Sequence, residues 1–147
     1  MQQSIVIGIC QMQVQTDKSV NLHKAEKMVQ QAADKGANLV ILPEVFHAPY
    51  ETAGFRHYAE IFPGPSTEML SRAAARHNIC LVGGSIIELD TEGKIYNSSY
   101  TFGPSGELLG KHRKVHLFDV DGVITFKESD VITPGHDLTI VEYQGFR

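Results

Sequence analysis

Tryptophan is absent from this sequence, and cysteine is scarce, with two residues. Cys10 and Cys80 each lie inside an apolar run, which is typical of buried thiols and argues against a disulfide. Long hydrophobic runs are also missing, and none approaches the roughly 18 residues of a membrane span. The apolar run at residues 4–10 is too short for a signal peptide, and no basic residue precedes it. These absences predict a cytoplasmic protein that does not enter a membrane.

An excess of positive charge is missing too. The 13 Lys and Arg against 17 Asp and Glu give a net charge of -4, which provides no attractive field for nucleic acid. Of the 147 residues, 42% are hydrophobic, which is enough to build the core of one domain over residues 1–147.

The first third of the chain is patterned as a strand, a helix and a second strand. Residues 4–14 form a β-branched run that predicts a central strand. From Lys18 the period becomes helical, and Gly36 marks the stop. The apolar face of this helix consists of Leu22, Ala25, Val29 and Ala32. Residues 38–44 predict the next strand, so the segment forms a βαβ unit with parallel strands.

The rest of the chain alternates less regularly. A long aromatic loop follows the second strand, and residues 65–79 predict a helix capped near Ser66. Further strands are expected at residues 79–89, 94–103, 107–118 and 138–145, with an irregular connection at residues 119–137. The expected fold is therefore a mixed α/β sheet with helices on one side, and its other face has no cover within the chain.

Glu44 is the first candidate for chemistry. It follows the aliphatic run Leu39 to Leu42 and Pro43, a segment that reads as a strand buried on both faces. A surface acid that merely ends a strand would look the same. However, the carboxyl end of a parallel strand is also where ligands bind in open α/β sheets.

The stretch "GKHRKVHLFD", residues 110–119, is the second candidate. Strand alternation puts His112, Lys114 and His116 on one face, and Lys111 and Arg113 on the other. This could be a solvated edge strand, or one face could line a site. A lysine held beside carboxylates stays charged and can stabilise an oxyanion.

Two further features lie downstream. Glu128, taken alone, reads as a loop acid. The sequence "DVDG" after an apolar strand is similar to the first motif of haloacid-dehalogenase-type phosphatases, in which Asp119 would be the nucleophile and Asp121 the acid/base beside Mg²⁺. The 26 residues after Asp121 lack the further set that such a site needs, so this alternative is remote.

Several stretches together resemble one family. These are LVILPEVF, YAEIFPGPST, LVGGSIIE, GKIYNSSYTFGPSGELLGKHRKVHLFD and ITFKESDVITPG. They are similar to the nitrilase (carbon–nitrogen hydrolase) superfamily and most of all to its omega-amidase branch. The resemblance implies the N-terminal half of a four-layer α-β-β-α sandwich. It maps the general base onto Glu44, the catalytic lysine onto Lys114 and a supporting glutamate onto Glu128.

The chemistry that the resemblance implies is hydrolysis of small ω-amides of dicarboxylates, such as 2-oxoglutaramate, through a cysteine nucleophile and without metal or cofactor. The family's cysteine follows the segment that ends this chain, so we expect a domain truncated before its nucleophile strand. The resemblance also implies a homo-oligomer for the full-length parent. The alternative is a non-catalytic module that associates through its uncovered sheet face.

Overall fold

The computed structural model describes residues 4–123 and 125–147. Within them lie three α-helices and eight β-strands. In chain order these are β1 (Ile7–Ile9), α1 (Lys18–Asp34), β2 (Leu39–Ile41), α2 (Phe55–Tyr58), α3 (Pro65–His77), β3 (Cys80–Val82), β4 (Ile86–Leu89), β5 (Ile95–Phe102), β6 (Leu108–Arg113), β7 (Asp119–Val120) and β8 (Phe126–Lys127). In the described part of the chain, no helix is both long and apolar enough to cross a membrane.

The main sheet is mixed. Its order is β1-β2-β3-β5-β4, and β6 also pairs with β5. The β1–β2 and β2–β3 pairs are parallel, as the βαβ pattern predicted. The pairs that β5 makes with β3, β4 and β6 are antiparallel. The mixed α/β fold expected from the sequence is therefore confirmed.

Local signals fix the ends of α1. The side chain of Asp17 accepts hydrogen bonds from the backbone nitrogens of Ser19 and Val20, at 2.8 and 3.4 Å. After the helix, Gly36 takes a φ of +87°, a left-handed conformation that glycine adopts without steric cost. Ala25 and Val29 are fully buried, which confirms the predicted apolar face.

Helix α3 begins at a different cap from the one expected. Gly64 is the N-cap, and the Thr67 hydroxyl bonds both its backbone nitrogen and its carbonyl. Ser66 lies inside the helix, where its hydroxyl and backbone nitrogen bind the buried carboxylate of Glu60 at 2.7 and 2.9 Å. The prediction of a cap near Ser66 was off because Ser66 serves this tertiary contact.

Helices α1 and α3 pack on one face of the sheet. The core between them and the strands includes Val29, Val40, Leu70, Leu81 and Tyr100. On the opposite face Ile7 and Ile9 are 52% and 80% exposed, and Leu39 and Ile41 are only partly buried. The strand of Leu39 to Leu42 is thus buried on one face, which corrects the expectation of burial on both.

Several predictions of secondary structure differ from the structure. The strand expected over residues 107–118 ends at Arg113, and the connection expected to be irregular at residues 119–137 contains β7 and β8. The strand expected over residues 4–14 is three residues long and lies at the sheet edge. The strand expected over residues 79–89 is split, because Gly84 has a φ of +54° and packs so tightly on Pro43 that a Cβ would collide with the Pro43 carbonyl. Residues 138–145 do not add a strand to the described sheet: Thr139 and Val141 lie over Gly110 of β6, across its face and not beside it.

Candidate functional site

A constrained turn at the end of β2 places Glu44. The next residue, Val45, has a φ of +46°, a conformation that is rare for a β-branched side chain. The backbone nitrogen of Val45 donates to the Ser85 hydroxyl at 2.9 Å, which stabilises the turn. The Glu44 side chain is left 50% exposed. Uncommon backbone geometry of this kind clusters at functional sites.

Strands β5 and β6 bring two partners to Glu44. The Asn97 side chain on β5 donates to Glu44 Oε1 at 2.8 Å. Lys114 follows the last residue of β6, and its backbone nitrogen donates to the Asn97 carbonyl at 2.8 Å. The Lys114 carbonyl accepts from the backbone nitrogen of Gly135, also at 2.8 Å. The lysine is therefore held at both of its backbone groups.

Lys114 joins the two glutamates that the sequence singled out. Its Nζ lies 3.0 Å from Glu44 Oε1 and 2.9 Å from Glu128 Oε2. A third contact, 3.3 Å long, runs to the hydroxyl of Tyr50. The structure thus brings Glu44, Lys114 and Glu128 together, from positions as far as 84 residues apart in the chain.

Glu128 is fully buried, unlike the loop acid that it resembles in isolation. Its Oε2 accepts from the backbone nitrogen of Phe118, and its Oε1 accepts from the Tyr50 hydroxyl. It directly follows β8, at the start of a short 3₁₀ turn. Asp119 on β7 binds the backbone nitrogen and hydroxyl of Ser129, at 3.1 and 2.6 Å, which ties this turn to the β7–β8 hairpin.

Electrostatics keep the lysine and the buried glutamate charged. Burial lowers the pKa of Lys114, but hydrogen bonds with Glu128, Glu44 and Tyr50 outweigh it and raise that pKa overall. Burial raises the pKa of Glu128, but the hydrogen bonds from Tyr50, the Phe118 backbone and Lys114 lower it to a net value below the ordinary one. The site therefore holds a fixed cation against a fixed anion.

An open depression of about 760 Å³ adjoins the Glu44–Lys114 pair on the uncovered face of the sheet. Its lining includes Ile41, Val82, Ser99, His112 and His136. A half-exposed carboxylate beside a fixed ammonium can accept a proton from a group in the depression. The ammonium can stabilise negative charge that develops nearby.

The two cysteines lie elsewhere. Both are free and buried, as their apolar contexts predicted, and neither is among the described residues that line the depression. Burial raises the pKa of the Cys10 thiol. Burial, followed by the charge of Glu107, raises the pKa of Cys80 to about 11. Thiols of this kind are poor nucleophiles near neutral pH.

Asp119 and Asp121 do not form a joint site. Asp119 is engaged by Ser129, and Asp121 forms an exposed ion pair with Lys127 at 3.4 Å. Over residues 4–123 and 125–147, no group of three or more His, Cys, Asp or Glu side chains could hold a metal ion. The phosphatase alternative finds no support in this arrangement.

Sequence reasoning missed Tyr50 and Asn97. Asn97 carried a signal, since asparagine is disfavoured in strands and this one lies inside the predicted strand of residues 94–103. Tyr50 lies in the long loop after the second strand, which the sequence marks only as rich in aromatic residues. Nothing local marks its hydroxyl as the one that reaches a glutamate 78 residues away.

Comparison with known proteins identifies the family. Residues 6–147 match the model of the carbon-nitrogen hydrolase family. The chain belongs to this family. It is 49% identical over 138 residues to Omega-amidase NIT2 of Xenopus tropicalis, covering 92% of this chain and 50% of the relative. It is 52% identical over 131 residues to Omega-amidase NIT2 of Mus musculus, covering 88% and 47%.

Solved structures agree with the family assignment. The crystal structure of Saccharomyces cerevisiae Nit3, a member of branch 10 of the nitrilase superfamily, superposes with a TM-score of 0.85 at 38% identity. That match covers 95% of this chain and 52% of Nit3. The resemblance to the nitrilase superfamily and its omega-amidases is confirmed. The chain spans about half the length of the curated relatives that it matches.

Proposed function

We propose that this chain carries the acid/base half of an amidase site that hydrolyses small ω-amides of dicarboxylates, such as 2-oxoglutaramate. The observation that supports it is the position of Lys114 Nζ, 3.0 Å from the half-exposed Glu44 and 2.9 Å from the buried Glu128. In this proposal Glu44 is the general base, Lys114 stabilises the oxyanion and Glu128 supports both. The omega-amidases among the relatives suggest the substrate class.

The proposed reaction proceeds through a thioester. Glu44 takes the proton of a cysteine thiol, and the thiolate attacks the amide carbon. Lys114 stabilises the negative oxygen of the tetrahedral intermediate. Collapse breaks the carbon–nitrogen bond, and ammonia leaves with the proton that Glu44 returns. Glu44 then takes a proton from water, which attacks the thioester and regenerates the thiol and the free acid.

The thiol belongs to the proposal as well. Cys10 and Cys80 are buried away from the depression, so we place the nucleophile in polypeptide outside these 147 residues. Residues 1–147 would then be the N-terminal part of one carbon–nitrogen hydrolase domain. A cytoplasmic location, supported by the two free thiols, and a homo-oligomeric full-length protein complete the proposal.

The test is ammonia release from 2-oxoglutaramate by the protein expressed from the full reading frame that contains this chain. We expect activity in the wild type and a loss of about a hundredfold or more in Glu44→Gln, because a general base contributes about 10²–10⁴-fold. Glu92→Gln is the matched control, since the exposed Glu92 forms an ion pair with the exposed Lys94, away from the site. A wild type that releases no ammonia above background would refute the omega-amidase assignment.

A second candidate function rests on the open sheet face. Ile9, which pairs with Ile41, and Leu138, which lines the depression, are 80% and 86% exposed there. Such side chains favour association with a partner. In this alternative the 147-residue chain is a non-catalytic binding module. Size-exclusion chromatography and binding of a hydrophobic dye test it, and a folded monomer that binds no dye would contradict it.

A further inference from the structure

Tyr50 contacts every charged group of the candidate site. Its hydroxyl donates to Glu128 Oε1, accepts from Lys114 Nζ at 3.3 Å and lies 3.4 Å from Glu44 Oε1. Asn97, by comparison, reaches Glu44 alone. We propose that Tyr50 is a positioning residue, which holds Glu128 and Lys114 in a fixed arrangement while Glu44 gains and loses its proton.

The tyrosine ring is fixed from two sides. It stacks on Phe126 at a centroid distance of 5.6 Å and an interplanar angle of 14°. It also meets the fully buried Phe55 edge-on, at 5.6 Å and 81°. Phe126 is two residues before Glu128, so the stack connects the loop after Glu44 to the turn that carries Glu128. The stacked pair therefore favours one relative position of the two loops.

Proton counting explains how one hydroxyl serves three groups. A phenol has one hydrogen to donate and lone pairs to accept. Tyr50 gives its hydrogen to Glu128 and accepts one from Lys114. While Glu44 is ionised, it receives hydrogens from Lys114 and Asn97. The 3.4 Å contact of Tyr50 runs to Glu44 Oε1, the oxygen that accepts from Asn97 and Lys114. A proton taken up by Glu44 therefore enters on its other oxygen, Oε2, and the bond from Tyr50 to Glu128 need not break.

Hydrogen-bond donors can be counted in the same way for the ammonium of Lys114. Its three N–H groups are directed at Glu44, Glu128 and Tyr50, and the contact with Tyr50 is the longest. A substrate oxyanion therefore competes with the Tyr50 oxygen for the ammonium, and both carboxylates keep their bonds. During that step Tyr50 positions the site through its bond to Glu128, which itself binds Lys114. Tyr50 acts by position and not as an acid, because burial, and then the hydrogen bond to Glu128, raise the pKa of its phenol.

The test compares Tyr50→Phe with Tyr58→Phe in the full-length protein. Both variants lose one hydroxyl and keep the ring, but the Tyr58 hydroxyl donates to the Thr16 carbonyl, outside the site. For Tyr50→Phe we expect kcat to fall about ten- to a hundredfold, the loss typical of a hydrogen bond to a charged group, with KM changed less than about threefold. The acidic limb of the kcat/KM profile should also move to higher pH, because Glu128 loses a donor that favours its ionised form.

A second measurement makes the proposal independent of turnover, since the kinetic arm rests on the proposed amidase function. The Glu128 carboxyl is titrated by NMR in the wild type and in both variants. We expect its midpoint to rise in Tyr50→Phe and to stay in place in Tyr58→Phe. An unchanged Glu128 midpoint in Tyr50→Phe overturns the positioning role, whatever the activity. If the wild type has no amidase activity but the Glu128 midpoint still rises in Tyr50→Phe, the proposed function is refuted and the positioning role of Tyr50 is supported.

Discussion

Two clusters of carboxylate and cation lie on opposite faces of β5 and β6, and they use the same residue types in opposite proportions. On one face Glu88 is bound by Lys111, Arg113 and the Ser98 hydroxyl. On the other face a single cation, Lys114, is shared by Glu44 and Glu128. The first cluster has more donors than its one carboxylate needs, whereas the second has more carboxylates than cations.

This difference separates a structural cluster from a reactive one. Glu88 is buried and all its partners favour the ionised form, so it has no role for a proton. Arg113 is held further by stacking over the Tyr96 ring, 3.5 Å from its centroid. Glu44 shares its cation with Glu128 and keeps half of its surface open to the depression. Of the carboxylates in the two clusters, Glu44 is the one that can take up a proton from a bound group.

The largest expected effect comes from removing the shared cation. Lys114→Met in the full-length protein should lower kcat/KM for 2-oxoglutaramate by about a thousandfold or more, since one oxyanion donor is worth about 10²–10³-fold and two carboxylates also lose their partner. Steady-state ammonia release measures the loss. Lys111→Met is the matched control, because Lys111 lies three residues earlier, in β6, and binds Glu88 instead. Equal losses in the two variants would contradict the assignment of Lys114.

The Glu88 cluster should respond in stability and not in chemistry. Glu88→Ala removes the only carboxylate among the described residues that Lys111 and Arg113 bind. We expect it to lower the free energy of unfolding by about 2–3 kcal/mol. Glu92→Ala, which breaks an exposed ion pair, should cost less than about 0.5 kcal/mol. Urea unfolding followed by circular dichroism gives both values. A Glu88→Ala variant as stable as Glu92→Ala would show that this cluster contributes little to the fold.

The stability that the Glu88 cluster contributes should also depend on pH. Burial raises the pKa of Glu88, but hydrogen bonds from Arg113, Lys111 and Ser98 dominate and lower it from 4.5 to about 2. The unfolded chain therefore binds the proton first, and the stability that Glu88 contributes above pH 4.5 is lost as the pH falls toward 2. The difference in unfolding free energy between the wild type and Glu88→Gln, measured as a function of pH, should become smaller as the pH falls from 4.5 to 2. A constant difference would contradict the ion-pair account.

The comparison also shows what the sequence could predict. Alternation along residues 110–119 separates Lys111 and Arg113 from Lys114, and the structure places them on opposite faces as predicted. Helix α1 was predictable because its N-cap, its apolar face and the glycine that follows its C-terminus are all set by residues close together in the sequence. The burial of Glu128 was not, because it depends on a hairpin and on a tyrosine 78 residues away. The split near Gly84 likewise depends on contact with Pro43.

The smallest expected effect on stability belongs to Glu44. Because its side chain is half exposed and its ion pair with Lys114 is partly solvated, Glu44→Gln should change the unfolding free energy by less than about 0.5 kcal/mol. The substitution keeps an oxygen that can accept from Asn97 and Lys114, while Glu128 retains its own bond to the lysine.

Urea unfolding of Glu44→Gln and of Glu88→Gln tests this prediction, and Glu88→Gln should lose more stability. If Glu44→Gln lost as much stability as Glu88→Gln, Glu44 would be a structural ion-pair partner, and the contrast between the two clusters would fail. A residue that is costly to lose for activity and nearly free to lose for folding is what a proton acceptor at the edge of an open site requires.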